Sequence, residues 1–336
     1  MVPPLDGVNR ITLARFTGTD IYENLSREEL LFEGCGADEL RFLLYVDSPC
    51  VVIGKHQNPW REAAAWRVKR GLLTLARRIS GGGTVYHDLG NLNFSFILPK
   101  RLFDRRFNLE VVVSALERLG IHATVSPRYD IMVAERKVSG NAFCFRRELA
   151  LHHGTLLVRS RLGDLHDALS GMEGITTRAV ESHPQPVLNL EEAVPGLSID
   201  DMARALFNEV QRVWGDRIRQ PGSPAPRAQL LDDNIVGDEE LAPHVERNRS
   251  FDWLFGRTPT FTVKIGASPD DAETAGAGSF EATVEEGRIS KVSGAQAEKL
   301  TQRLAGLPFD SRELTRALGG EPGHDSLVRW LSSHPF

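Results

Sequence analysis

The chain has 336 residues and a formal net charge of −5 at pH 7, from 40 Lys and Arg against 45 Asp and Glu. Hydrophobic residues make up 41% of it and charged residues 25%, a composition that is typical of globular proteins and excludes a disordered or fibrous chain. The mild acidity argues against a nucleic-acid partner, since such proteins present a basic surface. The length is enough for two domains.

In chain order, the N-terminal part alternates helical and strand patterns. A helix is predicted over 21–32, strands over 40–46 and 50–54, a helix from Asn58 to Gly71, and strands over 73–78 and 92–98. Pro59 favours the start of its helix because its missing N–H needs no partner in the first turn. A further amphipathic helix would end at Gly120, because apolar residues recur before it at steps of three and four: Leu109, Val112, Val113, Leu116 and Leu119.

Short β segments follow and indicate how the sheet is built. We predict strands over 121–125, 129–135, 137–145 and 149–158. Polar pairs between the last three are typical of hairpin connections, which favours an antiparallel or mixed sheet. Another helix begins near Ser198, which stands in the spacing of a capping box with Asp201. The apolar face of this helix would carry Met202, Leu206, Val210 and Val213.

A domain boundary is predicted in the region 218–250, which is dense in Pro and Gly and then acidic. Beyond it, strands are expected over 261–265, 279–286 and 288–293, with a turn at Gly287, followed by short helices from Ala295. The predicted fold class is α+β. A larger domain, residues 1–240, would hold a mixed, largely antiparallel sheet packed with helices, and residues 250–336 would form a small C-terminal α/β domain.

The cysteine content and the first residues of the chain predict the cellular compartment of the protein. Cys35, Cys50 and Cys144 lack the spacing of a disulfide framework or a zinc knuckle, which favours a reducing compartment. The first residues contain no long apolar segment and are not rich in Arg and Ser, so neither secretion nor organelle import is expected. No apolar run reaches the ~18 residues of a membrane span. We therefore expect a soluble, cytoplasmic monomer without a membrane partner.

The glycine run at 81–83 is the strongest candidate for a binding site. Three glycines remove every side chain from a loop between two strands, so that its N–H groups can approach an anionic or planar ligand. Arg77 and Arg78 precede the run and offer planar donors for phosphate, and an aromatic and two titratable residues follow at 86–88. The alternative is a plain tight turn. A P-loop and a Rossmann site are excluded, since neither GK[ST] nor a helix follows.

Two further constellations lie downstream. Lys137 precedes small residues at 139–142, where its ammonium can reach a phosphoryl and a carbonyl oxygen together. Asp130 is a candidate for holding a metal ion or a ribose hydroxyl, and the alternative for Lys137 is a surface side chain in a hairpin. The pair His152-His153 lacks the HExxH spacing of zinc proteases, which leaves a binding role or a structural pair. Cys144 has no base paired with it in the sequence.

Together these segments resemble the lipoate–protein ligase family. The resemblance follows the family's order along nearly the whole chain, through VVIGKHQNPW (51–60), the glycine segment (76–96), RKVSGNAF (136–143), HHGTLL (152–157), GITTR (174–178), Asn189-Leu190 and FDWLFGRTPTF (251–261). It implies the fold shared with biotin ligases, although the biotin-ligase signature GRGRxGR is absent. Ile79 departs from the family pattern, where a small polar residue is common. We expect its side chain to alternate away from the site.

The resemblance also implies a two-step reaction. Lipoate and MgATP would give lipoyl-AMP and pyrophosphate, and the lipoyl group would then pass to one lysine of a lipoyl-domain protein such as a 2-oxoacid dehydrogenase E2 subunit or the glycine cleavage H protein. Lys137 corresponds to the family's lysine that contacts both the lipoyl carbonyl and the adenylate phosphate, and Asp130 is the metal candidate. No tightly bound prosthetic group is expected. The expected binding residues are Arg78, Ser80, Gly81, Gly82, Gly83, Thr84, Val85, Tyr86, His87, Asn91, Asp130, Lys137, Ser139, Gly140, Ala142 and His153.

Three other readings of the sequence stay open. The first is an octanoyl or lipoyl transferase of the same fold that uses a cysteine thioester, although no cysteine lies between Cys50 and Lys137 and Cys144 follows too closely for the known pattern. The second is a transferase that takes an already activated or carrier-bound acyl group without ATP. The third is a non-enzymatic lipoate-binding protein.

For the enzyme, the segment 170–186 is a candidate lid over a hydrolysable intermediate, and the small domain would move with it.

Overall fold

The strands and helices are those of a computed structural model that describes residues 10–64, 67–68, 71–218, 229–266, 280–294, 297–319, 327–328, 331–332 and 336. The strands are β1 (Arg10–Arg15), β2 (Glu39–Tyr45), β3 (Cys50–Ile53), β4 (Thr74–Arg77), β5 (Val85–His87), β6 (Asn91–Pro99), β7 (Thr124–Val125), β8 (Ile131–Val133), β9 (Arg136–Ser139), β10 (Asn141–Arg146), β11 (Leu149–Leu157), β12 (Ile175–Thr177), β13 (Gln229–Leu231), β14 (Phe261–Ile265), β15 (Phe280–Glu285) and β16 (Arg288–Gly294). The α-helices are α1 (Ile21–Glu33), α2 (Pro59–Glu62), α3 (Arg105–Arg118), α4 (Leu162–Ala168), α5 (Leu190–Ala193), α6 (Ile199–Ile218), α7 (Asp238–Arg249), α8 (Ala297–Leu304) and α9 (Ser311–Leu318).

The largest sheet has the strand order β10-β11-β6-β2-β1-β13. Strand β1 pairs in parallel with β2 and β13, and the other neighbours are antiparallel. Both faces of this sheet are covered, so successive side chains of β2 enter different cores. Phe42 and Leu44 face a core closed by α3 and α6, whereas Leu43 and Tyr45 face a core closed by α1 and α7.

Two small sheets carry the segments that the sequence singled out. In the sheet β4-β3-β5, the glycine run at 81–83 connects β4 to β5. In the sheet β7-β8-β9, Asp130 directly precedes β8 and Lys137 lies on β9. Both sheets therefore present their functional candidates at strand ends or in connecting loops.

The C-terminal sheet has the order β12-β14-β15-β16 and is antiparallel throughout. Its strand β12 (Ile175–Thr177) comes from the part of the chain that precedes the predicted boundary region. Trp60 of α2 also packs in this core, with its ring centroid 5.1 Å from that of Phe255 and 5.3 Å from those of Phe261 and Phe309. Two N-terminal segments thus build into the C-terminal core, and the division into residues 1–240 and 250–336 remains a prediction.

Four predicted elements are wrong in their extent. Two strands are shorter than expected, since 121–125 is reduced to β7 and 129–135 is reduced to β8. The helix expected from Asn58 to Gly71 ends at Glu62, because Ala63 has the extended backbone angles φ −127° and ψ 152°; residues 65–66 and 69–70 lie outside the described part. The strand expected over 137–145 is divided at Gly140 into β9 and β10, which belong to different sheets. A small residue without a Cβ at this position allows the chain to change sheets there.

Part of the predicted boundary region is folded. Strand β13 pairs with β1, and α7 packs against α1, while residues 219–228 of the proline-rich stretch lie outside the described part. The capping box at the start of α6 is confirmed: the Asp201 N–H donates to Ser198 Oγ (3.1 Å), and the Ser198 N–H donates to Asp201 Oδ2 (3.1 Å). Within the described residues, no helix is both long enough and apolar enough to span a bilayer.

Candidate active site

A cavity of about 200 Å³ is lined by side chains from all three N-terminal sheets. We call the part of the cavity that is lined by the buried side chains of Leu25, Tyr45, Val52, His87 and Asn93 its closed end. We call the part that is lined by the more exposed and mostly charged Arg128, Lys137, Glu181 and His183 its mouth, where the buried Asp130 contacts Lys137. A polar mouth thus leads to a closed inner end, the arrangement that suits a ligand with one charged end and one long apolar tail.

The buried side chain of Arg78 binds the backbone of the glycine loop. It is 5% exposed, and its Nη2 donates to the carbonyl oxygens of Gly81 (2.7 Å) and Gly83 (2.6 Å). Burial lowers the pKa of Arg78 to about 10, although the nearby Glu28 and Tyr45 oppose this shift. Between the two carbonyl contacts, Gly82 has φ +88°, a left-handed conformation that favours glycine. The loop conformation therefore depends on both the arginine and the glycine.

A glycine outside the run is needed for the same loop. A Cβ on Gly54, which follows β3, would lie 2.3 Å from the carbonyl oxygen of Gly82. No side chain fits at that distance, so the VVIG segment must end in glycine for the two loops to touch. The Lys55 N–H also donates to the carbonyl oxygen of Ser80 (2.8 Å).

A buried polar network supports the inner side of the loop. His153 Nε2 lies 2.6 Å from Ser80 Oγ, and His153 Nδ1 lies 2.9 Å from Glu28 Oε2. Burial would raise the pKa of Glu28, but its charge interaction and hydrogen bond with His153, together with hydrogen bonds from Ser95 and Tyr45, hold it below its usual value. Glu28 therefore stays ionised and fixes the ring of His153 against Ser80.

Lys137 presents its ammonium at the mouth of the cavity. Its Nζ lies 2.8 Å from Asp130 Oδ1, and its side chain is 26% exposed against 10% for Asp130. The Lys137 N–H donates to the carbonyl oxygen of Pro186 (2.9 Å), and the Leu188 N–H donates to the carbonyl oxygen of Lys137 (3.0 Å). The carboxylate fixes the ammonium, and the backbone bonds hold β9 beside the segment at 186–188.

The segment at 181–185 covers one side of the cavity and is attached through Ser182. The Thr84 N–H donates to Ser182 Oγ (2.8 Å), and Gln57 Nε2 also donates to it (3.0 Å). The Ser182 hydroxyl donates in turn to the carboxylate of Glu62, which also accepts from Thr84 Oγ1 (3.2 Å). Residues of α2 and of the glycine loop thus converge on one serine of the covering segment.

Known proteins resemble this chain in sequence, and they identify its family. A model of the lipoyl protein ligase A/B catalytic domain matches residues 20–211. A lipoate-protein ligase A from Psychrobacter cryohalolentis is 33% identical over 257 residues, which cover 76% of this chain and 75% of the relative. The chain belongs to the lipoyl protein ligase A/B family.

Solved structures agree with this assignment at the level of the fold. The crystal structure of P. falciparum LipL1 in complex with lipoate is similar, with a TM-score of 0.63 at 22% identity, over 96% of this chain and 99% of that one. A lipoate-protein ligase A bound with ATP has a TM-score of 0.55 at 24% identity, over 71% of this chain and 93% of that one. The predicted biotin/lipoate-ligase-like α+β fold is therefore confirmed.

Most of the residues that the ligase resemblance predicts for the site do line the cavity. They come from five separate segments: Arg78, Gly83, Thr84, Val85, His87, Asp130, Lys137, Gly140, Ala142 and His153. Four others support the lining from behind. Gly81 and Gly82 form the loop around Arg78, Ser80 contacts His153, and Ser139 Oγ accepts a hydrogen bond from the cavity-lining Asn141 (3.2 Å).

Two predicted residues of the ligase site lie elsewhere. Tyr86 does not line the cavity but packs in a core with Val51, Ile53 and Leu75, because side chains alternate along β5 and only Val85 and His87 face the cavity. Tyr86, which was expected among the binding residues, therefore does not reach this cavity. Asn91 is fully buried and donates to Asn93 Oδ1 (2.9 Å), so it supports the lining from outside the cavity. Ile79, which departs from the family pattern, packs in the core of Phe16 and Trp253 and not in the cavity. It lies beyond the end of β4 at Arg77, so strand alternation does not explain its position.

The sequence did not predict about half of the residues that line the cavity. The missed residues are Leu25, Tyr45, Val52, Asn93, Arg128, Asn141, Gly154, Thr155, Glu181, Ser182, His183 and Gln185. Several of them sit inside apolar strand or helix patterns, where a cavity-facing residue looks like a core residue. Asn93 carried a usable signal, since a polar side chain amid the apolar run of β6 needs buried partners.

The residues at the mouth give limited support to a resident metal. Asp130 pairs with the Lys137 ammonium, and the cluster of described residues with the spacing of a metal-ligand set is instead Asp47, Cys50 and His87 in the interior. A magnesium ion that arrives with nucleotide phosphates needs few protein ligands, so Asp130 fits such an ion better than a permanent one.

Proposed function

We propose that the protein is an ATP-dependent lipoate–protein ligase that forms lipoyl-AMP and transfers the lipoyl group to a lysine of a lipoyl-domain protein. The observation that carries the proposal is the position of Lys137, whose ammonium lies at the mouth of a cavity with a glycine loop on one side and a buried end behind. The relatives support it, since one related structure is described with lipoate and another with ATP.

In the first step, a lipoate carboxylate oxygen attacks the α-phosphorus of ATP, and pyrophosphate leaves. Negative charge accumulates between the two anions during this step, so a fixed cation at that point lowers the barrier. Lys137 supplies the cation, and Asp130 holds it in place at 2.8 Å. Magnesium, bound through the phosphates and near Asp130, would neutralise the leaving pyrophosphate.

In the second step, the amine of an acceptor lysine attacks the acyl carbon, and AMP leaves. An oxyanion develops on the former carboxyl oxygen, which the same Lys137 ammonium is placed to stabilise. Because the adenylate is already activated, much of the remaining acceleration comes from holding the amine and the acyl carbon together.

The acyl tail would extend toward the closed end of the cavity. Leu25 and Val52 supply apolar surface there, and Val85 and Ala142 line the path to it. At ~25 cal/mol per Å² of apolar surface removed from water, enclosing such a tail is worth a few kcal/mol. That binding energy fixes the reacting carboxylate next to Lys137.

The segment at 170–186 remains our candidate for a lid. A cavity of about 200 Å³ is smaller than the ~300–1,000 Å³ typical of sites for larger ligands, so ATP and lipoate together require it to widen. The Ser182 contacts with Thr84 and Glu62 are the bonds that opening would break. The catalytic role of residues 1–240, the accessory role of 250–336, and a cytoplasmic monomer likewise remain predictions.

One alternative is a transferase that uses a cysteine thioester. Such a mechanism would need an exposed thiolate, but burial raises the pKa of Cys144 and raises that of Cys50 further. Neither cysteine lines the cavity, so the geometry disfavours a thioester transferase. A transferase that takes an already activated or carrier-bound acyl group needs no cysteine, and the exchange assay below distinguishes it from the ligase.

Lipoate-dependent exchange between ATP and pyrophosphate tests the proposal. We expect the wild-type protein to catalyse it, and Lys137→Ala to reduce it by ~100-fold or more, since a transition-state cation is worth several kcal/mol. Lys264→Ala, on an exposed position of β14, is the matched control. Absence of exchange in a folded wild-type protein that still transfers a carrier-bound lipoyl group would establish the alternative.

A further inference from the structure

Asn141 lines the cavity, but its polar atoms are bound by the protein. Its Nδ2 donates to the carbonyl oxygen of Tyr129 (2.9 Å) and to Ser139 Oγ (3.2 Å). Its Oδ1 lies 3.0 Å from His152 Nε2. Because a carbonyl oxygen only accepts, the amide nitrogen faces Tyr129 and the amide oxygen faces the histidine. A side chain bound in this way holds protein groups in place and has little left to offer a ligand.

The orientation of the Asn141 amide also fixes the tautomer of His152. Since Oδ1 accepts, His152 Nε2 carries the proton, and His152 Nδ1 is buried without a hydrogen-bond partner in the described part of the chain. Burial lowers the pKa of His152 well below its usual value, so the ring is a neutral donor. The ring is fully buried among three phenylalanine rings, those of Phe94, Phe96 and Phe143.

The contact with the Tyr129 carbonyl acts on the residue that pairs with Lys137. Tyr129 has φ +65°, a left-handed conformation that a bulky residue keeps only when its surroundings hold it there. The peptide group that joins Tyr129 to Asp130 is bound at both ends. Its carbonyl oxygen accepts from Asn141, and its N–H donates to Ser126 Oγ (3.1 Å). The Asp130 carboxylate, which lies 2.8 Å from Lys137 Nζ, therefore extends from a fixed backbone.

We propose that Asn141 is a positioning residue, which holds Asp130 where its carboxylate fixes the Lys137 ammonium. This inference rests on the proposed function, in which that ammonium stabilises both transition states. His152 takes part by holding the amide oxygen of Asn141. A Cβ on Gly154, which pairs with Asn141 across β10 and β11, would lie 2.4 Å from that oxygen. The glycine leaves the space in which the amide meets the histidine, so the segment at 152–154 supports the lysine from a distance.

Lipoate-dependent exchange between ATP and pyrophosphate, measured on full-length variants, tests the role of Asn141. We expect Asn141→Ala to lower kcat by ~10-fold, because a displaced ammonium stabilises the transition state less well. The KM values for lipoate and ATP should stay within about threefold of wild type, since the lost amide bound protein groups. Asn234→Ala is the matched control, at an exposed asparagine that does not line the cavity, and it should keep the wild-type rate.

Two substitutions of His152 separate its hydrogen bond from its packing. His152→Gln keeps an N–H donor for the Asn141 oxygen, and we expect it to retain kcat within about threefold of wild type. His152→Phe keeps an aromatic ring among the phenylalanine rings but removes the donor, and it should lower kcat as Asn141→Ala does. A role confined to packing predicts the opposite order, with phenylalanine tolerated better than glutamine.

Amide hydrogen–deuterium exchange over residues 126–130 reports on the loop without reference to catalysis. We expect the amides of this loop to exchange faster in Asn141→Ala than in the wild type, while those of β6 stay unchanged. Unchanged exchange at 126–130, a loss expressed in KM alone, or equal kcat for His152→Phe and His152→Gln would each overturn the inference. Release of the loop in Asn141→Ala, with no ATP–pyrophosphate exchange by the wild type, would uphold the placement of Asp130 and reject ATP activation.

Discussion

Arg77 shows at the scale of one residue how a buried cation connects distant parts of the chain. It is 1% exposed, and its guanidinium donates to the carbonyl oxygens of residues 54, 55 and 57 at 3.0–3.2 Å. It also donates to the carbonyl oxygen of Leu254 (2.6 Å from Nη2) and to Thr258 Oγ1 (3.1 Å). Burial, and to a smaller extent Arg257, lowers its pKa to about 9. The sequence predicted a phosphate-binding arginine pair, whereas here Arg77 binds backbone.

We expect Arg77→Leu to lower the free energy of unfolding by ~3 kcal/mol or more, because it leaves several buried carbonyl groups without donors. Urea denaturation followed by tryptophan fluorescence measures the change. Arg106→Leu is the control, since its side chain is 78% exposed. Equal stability of the two variants would show that the carbonyl groups find other donors.

Glu209 predicts a pH dependence of stability. Hydrogen bonds from Arg212, and then from Ser114 and Arg118, outweigh burial and lower its pKa to about 2. A carboxyl group whose pKa is lower in the folded state than its unfolded value of ~4.3 stabilises the fold at pH values above that unfolded pKa. This stabilisation is lost as the pH falls toward 2.

Unfolding of the wild type and of Glu209→Gln at pH 6 and pH 3 measures this contribution. At pH 6 the free energy of unfolding of the wild type should exceed that of Glu209→Gln by on the order of 1–2 kcal/mol. At pH 3 this difference between the two proteins should be smaller. A difference that is the same at both pH values would mean that Glu209 acts through packing and not through its charge.

At the scale of elements, strand alternation decides which residues reach the site. It directs Val85 and His87 toward the cavity and Tyr86 away from it, although all three residues follow the same glycine run. Ile79 also packs in a core, but it lies beyond the end of β4. The sequence could predict β6 and β11 from their apolar spacing. It could not predict that β9 and β10 separate at Gly140, because a single glycine in a strand pattern indicates a bulge as readily as a change of sheet.

The position of Cys144 on β10 leads to a prediction at this scale. Ala142 lines the cavity, and Cys144 lies two residues further along the strand, ~7 Å away, packed against the core beneath α1. We therefore expect Cys144→Ala to retain lipoylation of an acceptor domain within about twofold of wild type, since a small, half-buried side chain outside the cavity is replaced by a smaller one. Loss of turnover in a variant with an intact circular dichroism spectrum would sink the ligase proposal.

At the scale of the whole molecule, the site combines residues from before residue 30 to beyond residue 180, which no local pattern reveals. The segments with unusual composition, such as the glycine run and the Lys137 segment, could be found from the sequence. The walls from α1, β2 and β6 could not, because their apolar patterns are those of any buried strand or helix. The covering segment at 181–185 was anticipated as a lid, but its attachment through Ser182 was not.

Limited proteolysis tests the lid. We expect the segments 170–186 and 218–250 to become less susceptible to cleavage when a non-hydrolysable lipoyl-AMP analogue is bound, because closure over the ligand adds contacts to both. Mass spectrometry of the fragments assigns the cleavage sites, and the exposed connection at 147–148 between β10 and β11 serves as an internal reference. Unchanged cleavage at both segments, with the analogue bound, would count against a moving lid.

The backbone of Lys137 gives the covering segment a second role. Through its bonds to Pro186 and Leu188, the residue that bears the reactive cation is also the residue to which the cover is fastened. In the proposed mechanism, lifting the cover would therefore disturb the cation that activates the acyl–phosphate bond. An intermediate exposed by a premature opening would then be less reactive at the moment when water could reach it, so one residue would couple protection of the intermediate to its activation.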